Sequence, residues 1–110
     1  MTLDEVFNEL EAINRRLVAD YGLENKQRRV YARLAKVMEE LGELADEVLA
    51  DDGLQRKDKG GKYEDGSMSK EVADLIFAAV LLGMAMELDV KAAMEKRLKE
   101  IRQRMKENRL

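Results

Sequence analysis

Glu39-Glu40-Leu41-Gly42-Glu43 and, after a long interval, Glu71-Val72-Ala73-Asp74 are the segments of this chain best equipped for chemistry. The first has the form E-E-x-x-E and the second E-x-x-D. Steps of three and four residues place carboxylates on one face of a helix. Two such faces turned toward each other gather several oxygen ligands in a small volume. That donor set suits Mg²⁺, a hard cation that takes carboxylate and water oxygens and commonly works on phosphates. Acids on a helix are most often a solvated face, paired with neighbours such as Lys36 for tenths of a kcal/mol. Asp74 fits that reading least. It lies among Val72, Ala73, Leu75 and Ile76, on a helix expected to be buried, where a lone carboxylate needs a cation or hydrogen-bond donors.

Composition narrows the remaining chemistry. The chain has 110 residues, of which 39% are charged, 45% hydrophobic and 5% aromatic, with no Pro and no Trp. This length fits one domain, residues 1–110, with a modest core. Abundant helix formers and scarce strand-type aromatics predict an all-α fold. With no Cys there is no disulfide, thiol nucleophile or thiolate metal site, and with no His there is no imidazole base. Catalysis would therefore rest on carboxylates, Lys, Arg, Tyr and a hard metal. A net charge of -3 makes no case for nucleic-acid binding. The longest uncharged apolar stretch, Leu75 to Met86, is too short to span a bilayer, and the N-terminus lacks a signal-peptide pattern. A soluble cytoplasmic protein is the expectation.

Four helices must position the acids. The first runs from Thr2 or Leu3 to Asp20. Thr2 caps it, Val6, Leu10, Ile13 and Leu17 form its buried stripe, and Gly22 stops it. The second spans about Asn25 to Ala50. Its apolar face, Leu34, Val37, Met38, Leu41, Leu44, Ala45 and Val48, lies within roughly 60° either side of Leu41. Glu40, Glu43 and Glu47 fall together at one margin of that face. A long polar loop is expected over 51–69, followed by Ser69 as a cap that puts Glu71 in the next helix's first turn. The third helix, Lys70 to Glu87, is apolar on every side from Leu75 onward and should be buried all round. One small chain can hardly cover it, which predicts self-association through this helix. Asp89 caps the fourth helix, Val90 to Asn108, whose outer face is basic.

The two acidic motifs, in this order and on this helical plan, resemble those of the all-α nucleoside triphosphate pyrophosphohydrolases, the MazG-like family. Lys36-Val37-Met38-Glu39-Glu40-Leu41-Gly42-Glu43-Leu44-Ala45 is similar to the family's second helix, and Glu71-Val72-Ala73-Asp74-Leu75-Ile76 to its third. The likeness covers about residues 30 to 100. It implies a four-helix bundle-like fold, assembled as a dimer or tetramer. It implies Mg²⁺, or Mn²⁺, held by Glu40, Glu43, Glu71 and Asp74. Glu39 would ligate a second ion or position the attacking water. Family members split a nucleoside triphosphate between its α- and β-phosphates, in roles ranging from house-cleaning of abnormal nucleotides to narrow dUTP or dCTP hydrolysis. A metal-activated water needs only a carboxylate to orient or deprotonate it, so the lack of His and Cys is no obstacle.

Phosphate binding is less clearly written. Relatives carry Lys and Asn in the fourth helix, whereas this chain has Lys96, Lys99, Arg102 and Arg104 but no Asn there until Asn108. Lys70, Lys96 and Lys99 are the phosphate candidates, with a solvated basic face as the equal alternative. Tyr21, Tyr31, Phe7 and Phe77 are candidates to stack on a base, or simply core. Two rival functions remain. Phosphoribosyl-ATP pyrophosphohydrolase is similar in fold and motifs, but its relatives carry a His after the E-x-x-D acids that is missing here. A non-catalytic helical adaptor would keep the acids as surface charge.

Overall fold

The computed structural model describes residues 1–51 and 67–109. Those residues form four α-helices: α1, Leu3–Tyr21; α2, Lys26–Asp51; α3, Ser67–Ala85; and α4, Val90–Lys106. The fold is all-α, as the composition predicts.

The helix ends follow local chemistry. Thr2 caps α1 by accepting from the Glu5 backbone N–H, and the Glu5 carboxylate reaches back to the Thr2 N–H, closing a capping box. Gly22 stops α1 in the left-handed conformation, at φ 61 and ψ 45, which costs glycine nothing. Asn25 Oδ1 accepts from the Arg28 N–H at 3.0 Å and so caps α2. Arg29 Nη1 donates to the carbonyls of Leu23 and Glu24 at 2.9 and 3.1 Å, fastening the α1–α2 turn. Asp89 caps α4 through the Ala92 N–H at 3.0 Å.

The start of α3 departs from expectation. The helix opens at Ser67, so Ser69 lies inside it and does not cap it. Glu71 then belongs to the second turn, beyond the N–H groups that favour an acid in the first. Most of the polar stretch expected over 51–69 lies outside the described residues. At its edges the chain is helical: Asp51 ends α2 and Ser67 to Ser69 begin α3. The later helices also end earlier than expected, α3 at Ala85 and α4 at Lys106.

Helices α2 and α3 run antiparallel and make the most extensive contact, with α1 and then α4 against α3. Lys26, at the start of α2, pairs with Glu87, just past the end of α3, at 3.4 Å. At the hairpin's other end, Glu40 and Glu43 meet Glu71. Gly83 lets α4 approach α3 closely, because a Cβ there would overlap Val90 Cγ2.

The buried residues form a thin core: Leu10 of α1 with Ala78, Val80 and Ala85 of α3. The inner row of α2 is Arg33, Val37, Glu40 and Leu44, spaced four, three and four, and all buried or half-buried. Most of the apolar arc read from the sequence points away from it. Leu34, Met38, Leu41, Ala45 and Val48 are exposed, Met38 by 66%. On α1, Ile13 is also exposed, and the side chain of Asn14 takes an inward position. Nor is α3 buried all round from Leu75 onward, since Ile76 and Phe77 remain open.

Candidate metal centre and adjoining cleft

Glu40 and Glu43 of α2 and Glu71 of α3 converge where the two helices cross. A carboxylate oxygen from each lies within 4.8 Å of the others, close enough to share one ion. Glu40 and Glu71 are buried, while Glu43 is exposed at the rim. Glu40 occupies the α2–α3 contact itself, not the margin expected for it.

The two buried acids are satisfied in part only. Lys36 Nζ pairs with Glu40 Oε1 at 3.2 Å, and Lys70 Nζ lies 3.6 Å from Glu71 Oε1. Glu40 Oε2 and Glu71 Oε2 are buried with no hydrogen-bond partner. Leaving such oxygens bare is costly. An all-oxygen set with two orphaned carboxylate oxygens fits a hard divalent cation. The Glu43 carboxyl is pushed above its ordinary pKa, first by desolvation and then by the negative charges of Glu40, Glu71 and Glu39. Crowded acids of this kind gain from a cation that neutralises them.

Asp74 stands apart from this trio. Its side chain is 36% exposed and bonded to Lys70 at 2.9 Å. The burial problem posed by its apolar neighbours is therefore solved locally. The same ion pair, with Glu71 contributing, raises the Lys70 pKa. Glu39 is 55% exposed at the rim and 3.3 Å from Lys36. Lys36 is held charged by Glu40 first and then by Glu39.

A cleft of about 740 Å³ opens beside the acids. Glu40 and Asp74 line one part of it, with Lys36 alongside. Leu17, Tyr21, Leu23, Phe77 and Leu81 supply apolar walls, and Arg28 and Arg33 add cationic groups. Tyr21 and Phe77 thus face a cavity of nucleotide size. Phe7 lines a separate cleft between α1 and the start of α4, and Tyr31 is exposed on α2, accepting from Gln27 at 3.3 Å. Lys96 and Lys99 are exposed on α4, which contributes no lining residue to the larger cleft among those described. Arg28 and Arg33 were not anticipated as site residues. No pattern in the sequence singled them out: Arg33 shares a row with Val37, Glu40 and Leu44, and only the packing marks that row as the inner face.

The model of the MazG nucleotide pyrophosphohydrolase domain matches residues 29–108, which include all of these acids. The chain belongs to the MazG nucleotide pyrophosphohydrolase family. No curated protein and no solved structure gives a significant match. Residues 1–28, which carry Leu17, Tyr21, Leu23 and Arg28 of the cleft, lie outside the matched segment. No described helix is long and apolar enough to cross a membrane.

Proposed function

We propose that this chain hydrolyses a nucleoside triphosphate between the α- and β-phosphates, giving a nucleoside monophosphate and pyrophosphate, with Mg²⁺ or Mn²⁺ as cofactor. The observation that carries this reading is the pair of buried, partnerless oxygens on Glu40 and Glu71, beside Glu43 and next to a cleft of nucleotide size. A bound divalent cation would neutralise triphosphate charge and lower the pKa of a water.

Glu40, Glu43 and Glu71 would hold the ion. Asp74 would join them by releasing Lys70, which is then free to face a phosphate. Glu39, at the rim and outside the trio, would orient or deprotonate the attacking water. An adaptor that kept these acids as surface charge would have no reason to bury two of them. Nucleotide-pool house-cleaning in the cytoplasm, without nucleic-acid or membrane partners, is the setting that suits such an activity. Self-association through the open apolar faces belongs to the same proposal.

The test is product analysis with purified protein, Mg²⁺ and a panel of nucleoside triphosphates. Monophosphate and pyrophosphate in equal amounts are expected. Diphosphate and orthophosphate would refute the assignment of the bond.

A further inference from the structure

Among the described residues Arg33 is the one buried cation. It is 6% exposed, on the inner row of α2, and it has no carboxylate partner among the described residues. Its Nη2 donates to Asn14 Oδ1 at 2.7 Å, and its Nε–H is buried without an acceptor. Desolvation first, and the nearby charge of Arg29 second, lower its pKa. A buried guanidinium has five N–H donors and remains charged, so this placement is costly unless an acceptor arrives. Arg33 lines the larger cleft, where the walls are apolar and aromatic.

Seven residues separate Arg33 from Glu40, about 10 Å along the helix axis. With the reacting phosphates at the acids, that distance suits the base end of a nucleotide. The surroundings agree, because Tyr21 and Phe77 offer ring faces and the leucines exclude water. A triphosphate tail at the acids would find its cations more cheaply at the exposed Lys36 and Lys70, which already pair with Glu40, Glu71 and Asp74.

We propose that Arg33, positioned by Asn14, reads the substrate's base, and that it selects a base with paired acceptors on one edge, foremost a 6-oxopurine. This inference rests on the hydrolase reading for the placement of the phosphates. An Arg fork matches O6 and N7 of guanine or hypoxanthine, the commonest specific contact Arg makes to a base. Adenine offers N7 beside an amino donor, which leaves one Arg N–H facing another donor.

The experiment is calorimetric binding of α,β-methylene triphosphate analogues of guanosine and adenosine, in Mg²⁺, to the wild type, Arg33→Met and Asn14→Ala. The analogues cannot be cut, so binding is read apart from turnover. Met keeps the volume and removes a costly buried charge, so the variant should fold with an equal or higher Tm. The wild type should favour the guanosine analogue by about tenfold or more. In Arg33→Met the preference should vanish while adenosine-analogue affinity holds, and Asn14→Ala should lose part of it. Equal weakening of both analogues in Arg33→Met would overturn the proposal in favour of a phosphate contact. A wild type that binds both equally, or neither, would overturn it outright. Pyrophosphate release from GTP, on the same samples, judges the hydrolase reading separately. Selective binding without release would leave Arg33 its role and remove the reaction.

Discussion

At the residue scale, the account depends on carboxylates being ligands and not decoration. Amides keep the size of the acids and lose the charge a hard cation requires. Glu40→Gln, Glu43→Gln and Asp74→Asn should each lower pyrophosphate release by about a hundredfold or more, given several kcal/mol of charge stabilisation from the ion. Glu47→Gln, one turn beyond Glu43 and outside the trio, should be much milder. Steady-state assays on these four variants make the comparison. Wild-type turnover in Asp74→Asn would exclude that residue from the site.

Glu43 also predicts a pH dependence. Its folded pKa lies above the ordinary value, so the folded metal-free protein holds this proton more tightly than the unfolded chain does. The resulting stability is fully present below the unfolded pKa and is lost as pH rises through the folded one. Glu43→Gln removes that loss. Thermal melts without metal should therefore show the variant's Tm gaining on the wild type as pH rises through this window, with little difference at acid pH. A Tm difference that does not change with pH would contradict the crowding.

At the scale of elements, the helix plan was largely legible because caps are local. Thr2 with Glu5, Gly22, Asn25 and Asp89 mark ends that depend on residues a few positions away. The start of α3 was misread because Ser69 has the side chain of a good cap, yet the chain is already helical at Ser67. Spacing made the two acidic clusters legible, and the family resemblance picked Glu40, Glu43 and Glu71, with Asp74, out of them. The inner face of α2 was not legible. Its apolar arc looked like the buried side, yet the row that packs holds the charged Arg33 and Glu40. An Arg reads as solvated until its neighbours are known, so Arg33 and its cleft were invisible.

The α3–α4 approach carries its own prediction. Gly83→Ala places a methyl on Val90 Cγ2. Overpacking of this kind costs about 1–3 kcal/mol, against roughly 1 kcal/mol gained from replacing Gly in a helix. The net should be a modest loss in denaturant midpoint, relieved when Val90→Ala is added. Additive effects of the two changes would show that the two residues do not meet.

At the scale of the molecule, the thin core and the exposed apolar arc belong together. Leu34, Met38, Leu41 and Val48 on α2, with Val72 and Ile76 on α3, are large apolar side chains left open, and clustered exposed apolar surface marks interfaces. The prediction is a dimer or tetramer in solution, in which α2 shares the interface role expected of α3. Light scattering at micromolar concentration should report the oligomer, and Met38→Glu with Leu41→Glu should weaken it. A monomeric wild type would end the claim.

The central claim is that Glu40, Glu43 and Glu71 form a metal site that drives hydrolysis, and Glu71→Gln tests it most directly. Glu71 is buried, carries an orphaned oxygen and supplies the only α3 ligand of the trio. The measurement is a Mn²⁺ titration followed by electron paramagnetic resonance, with pyrophosphate release recorded on the same samples. The account predicts that the wild type binds Mn²⁺ and releases pyrophosphate only with metal present. Glu71→Gln should bind Mn²⁺ far more weakly and release almost none, with its fold intact. Wild-type pyrophosphate release by Glu71→Gln would contradict it.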